Sequence, residues 1–156
     1  MSSETKRGRP AKQIPKVADD AVYYIRGIVK EYRELRDFCG WIPKRRQSLF
    51  RRLNIHTTEY EETGDISYDR EVVDRIPERD RKVVLSYADA MKKVWILEHG
   101  IASIKDDRTR SIAEDTLLKG KRVEDLAREY GISGRAVWQR KRESIIRIAD
   151  FATSGI

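Results

Sequence analysis

The stretch from residue 122 to 148 constrains this chain more than any other, because its residues follow the spacing of two helices joined by a sharp turn. Gly131 and Ile132 stand at the turn, and Ser133 follows at a position where its hydroxyl caps the second helix. This order of residues predicts a helix-turn-helix over 122–148. The apolar residues predicted to pack its two helices against the rest of the domain are Val123, Leu126, Ala127, Val137, Ile145 and Ile148.

The opposite side of the second helix is basic and polar. Its residues 134–147 carry five cations against one carboxylate, a net charge of +4. Arg and Gln projecting from the start of such a helix have the size and chemistry that a DNA major groove accepts, Arg toward guanine and Gln toward adenine. The alternative is an ordinary helical hairpin whose exposed cations only solvate it. Predicted base contacts are Arg135, Trp138, Gln139 and Arg142, and predicted phosphate contacts are Lys121, Arg122, Ser133, Arg140 and Lys141.

Residues 119–148, KGKRVEDLAREYGISGRAVWQRKRESIIRI, resemble the C-terminal half of region 4 of bacterial sigma factors. They are still more similar to phage and prophage transcriptional regulators of the ArpU and RinA type. The shared pattern is a glycine-containing turn, a short helix with an apolar-Ala pair, Gly-apolar-Ser/Thr and a basic recognition helix. Arg140 departs from this pattern, since an apolar or aromatic residue is common there. The resemblance implies sequence-specific binding of duplex DNA and a role in transcriptional control. Matching residues are Gly120, Val123, Leu126, Ala127, Gly131, Ile132, Ser133, Val137, Ser144, Ile145 and Ile148.

The composition agrees with a polyanion as partner. Lys and Arg total 33 against 26 Asp and Glu, a net charge of +7, which attracts nucleic acid without reading its sequence. The single cysteine, Cys39, rules out an intrachain disulfide, suits a reducing cytoplasm and is expected to pack in a core. The chain has no run of 18 apolar residues and no apolar stretch behind its basic start, so we expect a soluble, cytoplasmic protein without membrane contact.

Residues 1–16 are predicted to form a disordered basic arm, since they hold two prolines and five cations against one acid. Within the arm, KRGRPAK resembles an AT-hook, in which an extended Arg-Gly-Arg-Pro lies in a narrow A·T-rich minor groove. The alternative is a tail that only raises solubility. Predicted minor-groove contacts are Lys6, Arg7, Gly8, Arg9 and Pro10.

Residues 18–39 repeat apolar side chains at steps of three and four, which is the heptad spacing of a helix, and Gly40 is predicted to end it. This stripe is either the seam of a homodimer, centred on Ile25 and Ile28, or a face packed inside its own domain. The sequence leaves both possibilities open.

The rest of the chain is also predicted to be helical, over 69–76, 77–98 and 101–118, because no segment alternates with period two for long enough to indicate a strand. The predicted fold class is therefore all-α. Three parts are expected: the arm, a helical N-terminal region over 17–76, and a helical DNA-binding domain over 77–156. A basic segment, residues 40–58, is expected to contain a short amphipathic helix after Pro43.

Three other functions were compared with transcriptional regulation. An enzyme is not predicted, since His56 and His99 are far apart in sequence and the chain has no glycine-rich phosphate loop or zinc-ligand spacing; no cofactor or metal is expected. A phage small terminase subunit, which packages DNA, usually carries its DNA-binding unit near the N-terminus. A true sigma factor, with RNA polymerase as partner, needs a region that recognises and opens the −10 element, and residues 17–60 show no such match.

Overall fold

The computed structural model describes residues 13–55, 65 and 70–154. Within those residues every regular element is a helix, so the fold is all-α, as predicted. The predicted minor-groove residues 6–10 lie outside the described residues, as does His56. The helices are α1 Asp19–Arg45, α2 Gln47–Arg52, α3 Arg70–Arg75, α4 Glu78–Ala102, α5 Asp107–Ala113, α6 Val123–Tyr130 and α7 Gly134–Ser154. A π-helical turn, Glu114–Leu118, extends α5.

The larger core lies where α1, α4, α7 and the π-helical turn meet. Burial of these apolar side chains is the main favourable contribution to folding. The same cluster joins residues from both sides of the boundary predicted at 76/77, so that boundary does not separate two cores. Its buried members are Ile25, Ile28, Trp95, Ile96, Leu97, Ile101, Ile104, Ala113, Leu117, Ile145, Ile148 and Ala149.

The apolar stripe of α1 belongs to this core. Ile25 and Ile28, the centre of the predicted dimer seam, are 0% and 1% exposed within a single chain. A polar contact also joins α1 to α4. The Tyr32 hydroxyl of α1 donates to the Glu98 carboxylate of α4, which also binds Arg36. Burial and this hydrogen bond raise the pKa of Tyr32 to about 12. The dimer seam is therefore wrong: the stripe faces its own domain, the second possibility that the sequence left open.

A second core lies along the N-terminal part of α4, away from α6 and α7. There the last turns of α1 pack with α2 and α3, and Ile42 is buried. The prediction that Gly40 ends the first helix is wrong by five residues. Glycine weakens a helix by only about 1 kcal/mol, and burial of Ile42 outweighs that cost. Buried members are Ile42, Leu49, Phe50, Leu53, Ile55, Val73, Ile76, Val84, Tyr87 and Met91.

The chain between α4 and α6 also differs from its prediction. We expected His99 and Gly100 to end one helix and a second helix to run over 101–118, but α4 continues to Ala102 and α5 begins at Asp107. The Asp106 carboxylate caps α5 by accepting from the Thr109 N–H at 2.9 Å. Gly100 lies against α7, where a Cβ atom would come within 2.8 Å of Ile148 Cγ2. That glycine permits close packing rather than ending the helix.

Candidate nucleic-acid interface

The turn of the predicted helix-turn-helix has the geometry that its residues indicate. Gly131 ends α6 in the left-handed conformation, with φ 65° and ψ 36°, which glycine adopts without a steric penalty. The Ile132 N–H then donates to the Ala127 carbonyl at 3.0 Å. The Ser133 hydroxyl accepts from the Ala136 N–H at 3.0 Å, so the predicted cap of the second helix is confirmed.

A small third core holds the two helices at a fixed angle. Leu126 from α6 and Val137 from α7 are both 0% exposed, and they meet Ile112 of α5, which is also 0% exposed. Val123, Ala127, Tyr130 and Ile132 pack around them. The sequence pattern predicted α6, α7 and a helix over 101–118, but it did not show that Ile112 of α5 forms the third wall of this core.

Four side chains predicted to read bases lie on the outward side of α7. Arg135, Trp138, Gln139 and Arg142 are all exposed, at the spacing that places them within an arc of about 100°. The Arg142 guanidinium lies over the Trp138 ring, 5.8 Å from its centroid. We call this set the α7 outer face. Its chemistry combines hydrogen-bond donors, an amide and one aromatic surface.

Trp138 is 51% exposed, so it does not pack beneath α6. Instead its ring borders a cleft between α7 and α1. An exposed tryptophan supplies a large apolar surface with few rotatable bonds, which suits contact with a partner.

Arg140, a predicted phosphate contact, forms its contacts within the chain in this structure. Arg140 lies about 140° round the helix from Arg135, on the side that faces α5. Its guanidinium donates to the Asp106 carboxylate at 2.9 Å and to the Thr109 hydroxyl. Hydrogen bonds from Thr109, and secondarily the charge of Arg140, lower the pKa of Asp106. Arg140 therefore joins α7 to the cap of α5.

The other predicted phosphate contacts lie at the start of α6 and on α7. Lys121 Nζ is 3.6 Å from Asp115 and 3.7 Å from Glu129, while Arg122 is 77% exposed and pairs with Glu124. Asp115 also accepts from the Tyr130 hydroxyl at 3.1 Å. Burial and this carboxylate raise the pKa of Tyr130. Lys121 is thus partly neutralised within the chain, whereas Lys141 lies beside the cleft.

Sequence reasoning missed two cations that the fold brings to this surface. Arg26 and Lys30 of α1 are exposed and line the cleft beside Trp138 and Arg142, although they are more than 100 residues away in sequence. Their spacing of four on one helix was visible. The sequence did not show that α7 lies beside these two cations.

Cys39 packs at the edge of the second core, and burial raises the pKa of its thiol to about 12. A thiol in that state is a poor nucleophile at neutral pH, because the thiolate is the reactive form.

No family model, curated protein or solved structure matches this chain. Among the described helices, none combines the length and the apolar composition needed to cross a membrane.

Proposed function

We propose that the chain is a sequence-specific DNA-binding protein that regulates transcription, of the phage type that its helix-turn-helix resembles. In this proposal residues 134–147 enter the major groove of duplex DNA in the host cytoplasm. The observation that carries it is the α7 outer face: four exposed side chains, with Arg and Gln one turn apart, project from the second helix of a capped helix-turn-helix. Arg recognises guanine and Gln recognises adenine through paired hydrogen bonds.

The supporting contacts divide into two roles. Arg135 and Gln139 are the expected readers of base edges, while Trp138 presses on a thymine methyl or a sugar. Arg122, Lys141 and the hydroxyl of Ser133 are expected to meet phosphates, which position the helix without reading sequence. The carbonyl of Gln13, a residue of the predicted arm, accepts from Arg147 at 3.2 Å, so Gln13 itself lies beside α7.

The first test is selection of binding sites from random duplex DNA by the purified protein, followed by affinities on the selected site. Arg135→Ala is expected to weaken cognate binding by about 1–3 kcal/mol and to relax the preference at one base position. The matched control is Arg79→Ala, since Arg79 is an exposed arginine in the first turn of α4, beside the second core. That control should leave the affinity and the preference unchanged.

Two outcomes would contradict the proposal. If Arg135→Ala weakened binding to cognate and random DNA equally, α7 would contact only phosphates. If no sequence could be selected from random DNA, the protein would have no sequence-specific function. Native mass spectrometry would reveal a ring typical of a packaging subunit. Promoter opening with core RNA polymerase would indicate a sigma factor instead.

A further inference from the structure

The cleft between α1 and α7 lies directly beside the α7 outer face. Its volume is about 350 Å³, and it is partly open to solvent. Seven side chains form its walls, three from α1 and four from α7, namely Arg26, Val29, Lys30, Trp138, Lys141, Arg142 and Ile145.

The charge of this cleft is of one sign. Four of its lining residues are cations, and none of the described residues that line it is a carboxylate. Arg26, Lys30, Lys141 and Arg142 form no ion pair with the described part of the chain, in contrast to Arg36, Lys121 and Arg140 nearby. Four cations that share a concave surface without neutralisation create a site for anions.

The other three lining residues are apolar, namely Val29, Trp138 and Ile145. Ile145 is 6% exposed and belongs to the main core, against which Val29 also packs. The Trp138 ring stands at the edge. An anion with an apolar part, such as a sugar carrying phosphate, matches this combination better than a simple inorganic ion does.

We propose that the cleft takes the sugar–phosphate backbone of one DNA strand, with Arg26 and Lys30 binding its phosphates. This inference rests on the proposed function, because Trp138 and Arg142 line the cleft and also belong to the face assigned to the major groove. In this proposal α7 lies in the groove, and a strand that borders the groove passes α1, which forms the other side of the cleft. Small-ligand sites of about 300–1,000 Å³ bury most of their ligand, whereas this cleft is open, which favours a polymer passing through it over an enclosed molecule.

The test compares the salt dependence of cognate binding in the full chain and in the double variant Arg26→Ala with Lys30→Ala. Each phosphate neutralised contributes about 0.9 to the slope of log K against log salt concentration, so the magnitude of the slope should fall by about 1.8. The selected base preference should stay the same, since phosphate contacts carry no sequence information. Thermal unfolding followed by circular dichroism checks that the variant is folded.

The matched control is Arg79→Ala with Lys82→Ala. It removes the same two charges from exposed positions at the start of α4, on the part of that helix that packs in the second core. Its salt slope should equal that of the unmodified protein. Phosphate ethylation interference then locates the contact: the unmodified protein should be sensitive at phosphates where the Arg26 and Lys30 variant is not.

This inference would be overturned if the folded double variant had the same salt slope as the unmodified protein. If the unmodified protein still selected a cognate sequence, the proposed function would stand. The inference would also be overturned if the unmodified protein bound adenosine monophosphate saturably, the double variant did not, and the salt slope was unchanged. That result would assign the cleft to a small anionic ligand. A reduced slope without any selected sequence would support the backbone contact and remove the specific function.

Discussion

The two long helices that border the cleft, α1 and α7, have the same kind of apolar stripe but different opposite faces. Ile25 and Ile28 of α1 and Val137 and Ile148 of α7 are all at most 1% exposed. The outside of α1 carries acids and bases together, including Glu31, Arg33, Glu34 and Asp37, whereas the α7 outer face carries no carboxylate among its four residues. Apolar spacing along a helix therefore indicates which face is buried. The charges on the opposite face indicate what kind of partner can bind there.

This comparison explains why α1 was open to two interpretations. A stripe at steps of three and four is required both of a dimer seam and of a helix covering a core, since each needs one continuous apolar face. The structure places the α1 stripe against α4 and α7. Helix α1 therefore packs against α7 and shares its core.

The sharpest test of this comparison is a charge in the α1 stripe. Ile28→Lys places an unpaired ammonium group at a position that is 1% exposed, so we expect the free energy of unfolding to fall by about 3–5 kcal/mol. Tyr23→Lys is the control, because Tyr23 is 79% exposed on the same helix and should change stability by less than about 0.5 kcal/mol. Urea unfolding measures both.

A folded Ile28→Lys protein with native helicity and a lower molecular mass in sedimentation would contradict this structure. It would support the dimer seam, because the substitution would then have separated two chains rather than disrupted the core of one chain.

An intermediate effect is expected where α4 approaches α7. Gly100→Ala forces a Cβ atom to within 2.8 Å of Ile148 Cγ2, in a core where Ile148 is 0% exposed. Overpacking costs about 1–3 kcal/mol, which the better helix propensity of alanine, about 1 kcal/mol, only partly offsets. The melting temperature should therefore fall.

Gly27→Ala is the control for that substitution. Gly27 lies within helix α1, and the Cβ atom of an alanine there would meet no other part of the fold within 4 Å, so alanine should raise stability by about 0.5–1 kcal/mol. Opposite signs for the two glycines would support the packing role of Gly100. The same stabilising sign at both would show that α4 and α7 are not in close contact.

The smallest effect on stability is expected at Trp138. Because this ring is 51% exposed, Trp138→Ala should change the free energy of unfolding by less than about 0.5 kcal/mol. Cognate binding should weaken by about 1 kcal/mol, since apolar contact with DNA is lost. Trp41→Ala, at a 45% exposed tryptophan of α1, should leave binding unchanged. A large fall in melting temperature for Trp138→Ala would indicate a core residue and contradict the outer face.

Local chemistry explains why the turn between α6 and α7 was predictable from the sequence. The left-handed turn at Gly131, the cap from Ser133 and the burial of Leu126 and Val137 depend on residues close together in sequence. The intrachain contacts of Arg140 and Gly100 could not be predicted in this way, because their partners, Asp106 and Ile148, lie tens of residues away. Local spacing carries no information on such partners.

The sequence by itself determined the all-α class, the place of the turn between α6 and α7 and the four side chains that α7 turns outward, because helical period and capping act within a few residues. Only the tertiary structure decided that α1 covers its own core and that Arg26 and Lys30 stand beside Trp138. An apolar stripe is non-directional and packs against any apolar surface that the rest of the chain offers. Which surface that is depends on all the helices together.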